Sequence, residues 1–142
     1  MNKRFINTWK WQDASGYSQA IEVSNWTHQL VCSGQASTDE NGILCHPNNM
    51  AAQLEQAIDN IETILSHAGY SLGDIIRFNI FTTNVDEFFA SWAPTGDRLA
   101  FAGCVPASTL LGVTRLADPG MMIEIEVTAV KGRESWVVSR QS

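Results

Sequence analysis

The chain has 142 residues, 44% of them hydrophobic and 17% charged, and its net charge at pH 7 is −6. A chain of this length can bury the core of one domain without disulfides or a structural metal. The negative charge disfavours nucleic acid and anionic membrane surfaces as partners, so we expect neither.

Cysteine spacing and hydropathy narrow the protein class further. Cys32, Cys45 and Cys104 are odd in number and lack CxxC spacing, which argues against a disulfide framework or a thiolate zinc site. The N-terminus lacks the apolar core of a secretory signal, and no apolar stretch approaches the roughly 18 residues of a membrane span. We therefore predict a cytoplasmic protein with no metal site and no membrane contact.

Strands precede and follow one long helix in the predicted order of elements. Before the helix, β-like runs cover residues 19–23 and 28–35, and residues 5–11 are a further candidate. The helix covers residues 49–68, where apolar residues recur every three or four positions from Met50 onward. Asn48 or Asn49 is suited to its N-cap, and Gly69 to its end.

The second half of the chain contains one more helical segment and three more strands. Strands are predicted at residues 75–83, 108–115 and 121–131. Residues 85–101 begin as an amphipathic helix, but Pro94 and Gly96 predict either a kink or two short helices. This order of elements is typical of an α+β domain with its helices on one face of a sheet.

The last predicted strand has one apolar and one acidic face. Ile123 and Ile125 alternate with Glu124 and Glu126, and successive side chains of a strand point to opposite faces. Unpaired buried carboxylates are energetically costly, so solvent, a partner chain or a ligand must satisfy these two. The residues alone leave these possibilities open.

Five segments together resemble the RidA (YjgF/YER057c) family. The most informative reads PASTLLGVTRLADPGMMIEIEVTAV and covers residues 106–130. The others are residues 16–20, 31–35, 53–61 and 68–76, which read GYSQA, VCSGQ, QLEQAIDNI and AGYSLGDII. The resemblance covers about residues 16–131 of a single domain, and residues 132–142 are a C-terminal extension.

The resemblance implies a chorismate-mutase-like α+β fold, a mixed sheet of about six strands with two helices on one face. It also implies a homotrimer with small-molecule clefts between subunits, where family members hydrolytically deaminate reactive enamines and imines without a metal or organic cofactor. In such clefts an arginine binds the substrate carboxylate, and a glutamate with a bound water performs the hydrolysis.

Site residues are assigned by matching positions to the family motifs. Glu124 is the predicted catalytic residue, and the predicted ligand-binding residues are Tyr17, Ser33, Gly34, Trp92, Ser108 and Leu110. Ser108 stands where the family has its arginine, and Trp92 stands where it often has asparagine. A serine cannot bind a carboxylate bidentately, so we predict weak or absent activity on simple amino-acid-derived imines.

Three functional hypotheses remain open from the sequence. The first is a divergent imine or enamine deaminase that does not use the carboxylate clamp. The second is a trimer that binds a small molecule without catalysis, and the third, least favoured by the acidic charge, is an RNA-acting protein. Arg98 is a candidate for a substitute anion-binding group, whereas Arg115 is assigned a structural role.

Overall fold

A computed structural model describes residues 1–132 of the chain. The predicted C-terminal extension therefore lies, except for Gly132, outside the described residues. The elements in chain order are β1 Asn2–Ile6, β2 Ala20–Ser24, β3 His28–Val31, α1 Met50–His67, a 3₁₀ turn Leu72–Asp74, β4 Ile75–Thr82, α2 Val85–Ser91, α3 Ala93–Phe101, β5 Ala107–Gly112 and β6 Ile123–Lys131.

The six strands of residues 1–132 divide between two sheets. The main sheet has the order β3-β6-β4-β5, in which β5 runs parallel to β4 and the other neighbours are antiparallel. Strands β1 and β2 form a separate antiparallel pair. The predicted α+β class and number of strands are confirmed, and the strands form a four-stranded and a two-stranded sheet.

The first strand lies earlier than predicted. It covers Asn2–Ile6 instead of residues 5–11, and Ile6 pairs with Ala20 at its end. The side chain of Asn7 then accepts hydrogen bonds from the Gln12 side chain and the Gln19 backbone N–H, which stabilises a turn-rich segment. Trp9 and Trp11 lie in this segment with exposed fractions of 61% and 74%, so their aromatic character did not indicate a strand.

Helix α1 begins and ends at signals that the sequence contains. The Asn49 side chain accepts a hydrogen bond from the Ala52 backbone N–H, which identifies Asn49 as the N-cap. Gly69 adopts φ = 86° just beyond the helix, a conformation that glycine reaches without steric cost. The apolar face of α1, including Leu54, Ile58 and Ile61, is fully buried against the main sheet.

Two polar side chains of α1 fix the helix to neighbouring loops. Gln53 is fully buried, donates from its amide to the carbonyls of His46 and Gly120, and accepts from the Met122 backbone N–H. Asn60 donates to two carbonyls of the loop after β3. Part of the motif at residues 53–61 therefore has a structural role, because buried backbone groups require hydrogen-bond partners.

The second helical segment is divided into two short helices, as its proline predicted. Helix α2 begins at the N-cap Asn84, whose side chain accepts from the Glu87 backbone N–H. Trp92 ends α2 and immediately precedes α3, which has Pro94 in its first turn. A proline is tolerated there because the first N–H groups of a helix have no intrahelical acceptor. The division places Trp92 at the junction of the two helices.

The strand register assigns each side chain of the main sheet to one of two faces. Phe78 pairs with Ser108 and Val127, and Ile80 pairs with Leu110 and Ile125, so these residues share the face that the helices cover. We call it the helix face. The opposite face, the open face, carries the residues that alternate with them on β4 and β6: Arg77, Asn79, Phe81, Glu124, Glu126 and Thr128.

Candidate functional site

A cavity of about 650 Å³ lies between the helix face of β4 and β5 and the helices α2 and α3. Residues 14–17 close another side of it. The residues that line it are Ala14, Ser15, Gly16, Tyr17, Phe78, Ile80, Phe88, Phe89, Trp92, Ala93, Gly96, Asp97, Leu99, Ala100, Cys104, Pro106, Ser108 and Leu110. Its size and its mainly apolar lining are those of a small-molecule site.

Aromatic side chains form the helix-side wall of the cavity. The Trp92 ring lies 5.0 Å from the Phe88 ring and 6.4 Å, edge to face, from the Phe78 ring. Gly96 lies one turn further along, where an added Cβ would come within 2.9 Å of the indole nitrogen of Trp92. The missing side chain of Gly96 thus leaves the space that the indole occupies.

The sheet and the N-terminal segment supply the other walls. Ser108 and Leu110 line the cavity from β5. The backbone N–H of Ser18 donates to the carbonyl of Pro106, and the Ser18 hydroxyl donates to the carbonyl of Val105. These bonds fix residues 14–18 to the start of β5 and place Tyr17 at the cavity.

The carboxylic acid in the described cavity lining is Asp97, and no Lys or Arg is part of that lining. Asp97 is exposed at α3. Arg98, the candidate substitute for the missing arginine, instead forms ion pairs with Asp59 and Glu62 of α1 at 2.7 and 3.1 Å. The hypothesis that Arg98 binds an anion in the site is therefore wrong, because its guanidinium is directed to the surface of α1.

Cys104, which lies just before the segment at residues 106–130, also lines the cavity. Burial raises the pKa of its thiol to about 12, although the positive charge of Lys3 opposes the shift. The thiol is therefore protonated at neutral pH, and the thiolate is the nucleophilic form of cysteine. Cys104 contributes shape to the cavity and is not suited to act as a nucleophile.

The predicted catalytic carboxylate lies outside the cavity. Glu124 pairs with Phe81 and extends from the open face of the sheet. A Cβ on Gly34 would lie 2.8 Å from the carboxyl carbon of Glu124, so the Glu124 side chain packs directly over the Gly34 backbone. Ser33 is adjacent and exposed. Gly34 and Glu124 thus form a second group, with Ser33 beside it.

The neighbouring carboxylate has a different environment. Glu126 accepts a hydrogen bond from the side-chain amide of Asn79 at 3.2 Å. Among residues 1–132, no hydrogen bond or ion pair to the Glu124 carboxylate is present. Within residues 1–132, Glu124 is therefore the one of these two acidic residues that has neither carboxylate oxygen in a hydrogen bond.

One chain does not bring all seven predicted site residues together. Tyr17, Trp92, Ser108 and Leu110 line the cavity. Glu124 lies on the opposite face of the sheet, and the sheet itself separates it from Ser108. A site that contains both groups therefore requires two copies of the chain.

Two absences bear on the chemistry of the described part of the chain. Within residues 1–132, His, Cys, Asp and Glu side chains form no group of three that could hold a metal ion. None of the helices in the same range is both long enough and apolar enough to cross a membrane.

These features define a class of α+β protein that has a mainly apolar cavity on one sheet face and a carboxylate group, Glu124, on the other. The model of the endoribonuclease L-PSP family matches residues 10–131. The chain therefore belongs to this family, which is also the RidA/YjgF family that the sequence motifs resemble.

Relatives and solved structures agree with this assignment. The 2-iminobutanoate/2-iminopropanoate deaminase of Escherichia coli is 30% identical over 81% of this chain and 87% of its own length. A RutC family protein of Pyrococcus horikoshii is 32% identical over 81% of this chain and 86% of its own. The Rid family protein YyfB from Yersinia pestis, described as of unknown function, has a TM-score of 0.82 at 29% identity over 92% of this chain and 99% of its own.

A second solved structure is less similar in shape. The YjgF gene product of Escherichia coli has a TM-score of 0.64 at 29% identity, over 80% of this chain and 87% of its own. Identity to the two solved proteins is the same, whereas YyfB matches a larger share of this chain and has the higher TM-score.

Proposed function

We propose that the chain is a hydrolytic deaminase of reactive imines or enamines that carry no carboxylate, acting at clefts between the subunits of a homotrimer. The observation that carries this proposal is the cavity beside Ser108, whose described lining contains no cationic side chain. Family membership supports imine or enamine chemistry, and no Lys or Arg of the described lining stands in for the family's carboxylate anchor.

Separation of the two groups supports the assembly. The cavity residues and Glu124 lie on opposite faces of one sheet, so the cavity of one copy must meet the Glu124 of another. The open face also leaves apolar side chains uncovered, since Val31 is 72% exposed and Leu111 is 48% exposed. Packing between copies would remove that surface from water, which favours association.

The proposed reaction assigns a role to each group. The Glu124 carboxylate accepts a proton from a water molecule while the water oxygen attacks the imine carbon. Glu124 returns that proton to nitrogen, which gives a neutral carbinolamine. The hydroxyl proton of the carbinolamine then passes through the same carboxylate to nitrogen as the C–N bond breaks, so imine and water give a carbonyl compound and ammonia. Gly34 leaves room for the Glu124 side chain, and the adjacent Ser33 offers a hydroxyl to the water.

In this proposal the cavity residues bind the substrate. The Trp92 wall and Leu110 bury the apolar part of the substrate, while the hydroxyl groups of Tyr17 and Ser108 offer hydrogen bonds to its polar end. Losing a charged anchor in a desolvated pocket costs about 2–5 kcal/mol, so a carboxylate substrate should bind poorly here. The proposed reaction requires no metal or organic cofactor.

An ammonia-release assay on two classes of imine tests the proposal. Each imine is generated in place at neutral pH, and its enzymatic hydrolysis is compared with the spontaneous rate. We expect clear acceleration for an aryl alkyl ketimine without a carboxylate and little for 2-iminopropanoate. Robust hydrolysis of 2-iminopropanoate, with none of the ketimine, would contradict the proposal.

The alternative is a trimer that binds a small molecule in the same cleft without catalysis. Ser108 in place of the family arginine favours this alternative, because a protein that has lost its catalytic activity would also be free to lose its substrate anchor. RNA as a substrate has little support, given the net charge of −6.

The cytoplasmic location remains a prediction, since one relative is named as mitochondrial.

A further inference from the structure

We infer that the cavity selects an aromatic or apolar iminium ion, the protonated form of an imine, with Asp97 as its counter-ion. This inference specifies the substrate class of the proposed deaminase and so rests on that function. It concerns binding, however, and an unreactive amine can therefore test it separately from turnover.

Aromatic surface in the cavity is the first observation. Trp92, Phe88 and Phe89 line one wall from α2, and Tyr17 lines another. Phe89 is 62% exposed although it lines the cavity, so a bound ligand would cover it. Aromatic faces attract cations within about 6 Å of the ring centre, most strongly for tryptophan, and they also stack on aromatic ligands.

Charge is the second observation. Asp97 is exposed in the cavity lining, next to the Gly96 that makes room for the Trp92 indole. The adjacent Arg98 does not cancel this charge at the cavity, since Asp59 and Glu62 already pair with its guanidinium. The charged side chain of the described lining is therefore negative, and so is the Glu124 that the proposed assembly brings to the same site. Both charges attract a cation and repel a carboxylate.

Iminium chemistry agrees with both observations. A protonated imine carries its positive charge at the C=N group, and protonation makes the carbon more electrophilic toward water. Hydrolysis then converts the iminium ion and water into a carbonyl compound and an ammonium ion, so the charge leaves on nitrogen and no redox partner is needed. A cavity of about 650 Å³ accommodates a substituent the size of one aromatic ring.

Three unreactive probes of similar shape test the inference: benzylamine, benzyl alcohol and phenylacetate. Their affinities for the full-length protein are measured by isothermal titration calorimetry at pH 7 and low salt. We expect benzylamine to bind about 3- to 10-fold more tightly than benzyl alcohol, and phenylacetate to bind most weakly. Raising the ionic strength should weaken benzylamine binding and leave benzyl alcohol binding unchanged.

Asp97→Asn should reduce the preference for benzylamine over benzyl alcohol, and Asp86→Asn should retain it in full. Asp86 is an exposed acid on α2 outside the cavity lining, so the control removes the same charge elsewhere. Equal loss in both variants, equal binding of the three probes, or binding of none would overturn the inference.

Failure of this inference and failure of the proposed function give different results. Hydrolysis of carboxylate-free imines together with equal affinity for amine and alcohol would retain the deaminase and remove the iminium preference. Asp97-dependent amine binding without any turnover would retain the preference and favour the non-catalytic alternative.

Discussion

Glu124→Gln should lower kcat for hydrolysis of a carboxylate-free imine by about 100- to 10,000-fold while changing substrate affinity little. Glutamine has nearly the same shape but cannot accept a proton from the attacking water. In residues 1–132 the Glu124 carboxylate has no hydrogen-bond partner, so the substitution breaks no described contact. Steady-state kinetics, with affinity for an unreactive analogue, separate the two quantities.

Glu126→Gln is the matched control. Glu126 lies two residues along the same strand and face, and it accepts a hydrogen bond from Asn79 that a glutamine oxygen can also accept. We expect kcat to change less than about threefold in this variant, because it does not touch the water in the proposed mechanism. A comparable loss in both variants would mean that the acidic face acts through its total charge. A change only in affinity for Glu124→Gln would favour the non-catalytic alternative.

Gln53→Met should destabilise the fold by about 3–5 kcal/mol. Methionine has a similar volume but leaves the carbonyls of His46 and Gly120 and the N–H of Met122 without their side-chain partner. Gln53 is fully buried, and each polar group left unsatisfied in such a place costs about 1–3 kcal/mol. Urea denaturation at one fixed protein concentration measures the change, since association contributes to apparent stability.

Gln56→Met on the next turn of α1 provides the comparison. Gln56 is half-buried, and its amide donates a hydrogen bond to the side chain of Asn60. We expect a loss of about 1 kcal/mol or less, as for a single hydrogen bond between half-buried side chains. Similar losses in both variants would show that Gln53 contributes through helix packing and not through its three bonds.

Helix α1 was predicted closely because the sequence features that determine it are local. The period of α1, its cap at Asn49 and the stop at Gly69 all lie within a short stretch of chain, so the prediction differs from the structure by one residue at each end. The first strand was misplaced because Trp9 and Trp11 have high strand propensity, whereas tertiary hydrogen bonds of Asn7 determine the path of that segment. Division of the strands into two sheets depends on long-range pairing, which propensity does not contain.

The sequence predicted which residues belong to the candidate site, but it did not predict how those residues are placed in space. Strand alternation places Ser108 and Leu110 on one face of β5, but only the register with β4 shows that this is the helix face. Arg98 was misassigned because helix periodicity gives its position on α3 without showing Asp59 and Glu62 across the interface. Asp97 was missed since one exposed acid has no distinguishing pattern in sequence.

A subunit-mixing experiment tests most directly the central claim that each site combines the cavity of one copy with the Glu124 of another. Glu124→Gln lacks the carboxylate, and Ser108→Trp fills the cavity, so each variant alone should be inactive. In trimers formed by refolding an equal mixture, half of the cavities are intact and half of those face an intact Glu124. We expect recovery of about one quarter of wild-type hydrolysis. Absence of recovery in the mixture, with full recovery of wild-type protein refolded in parallel, would contradict it.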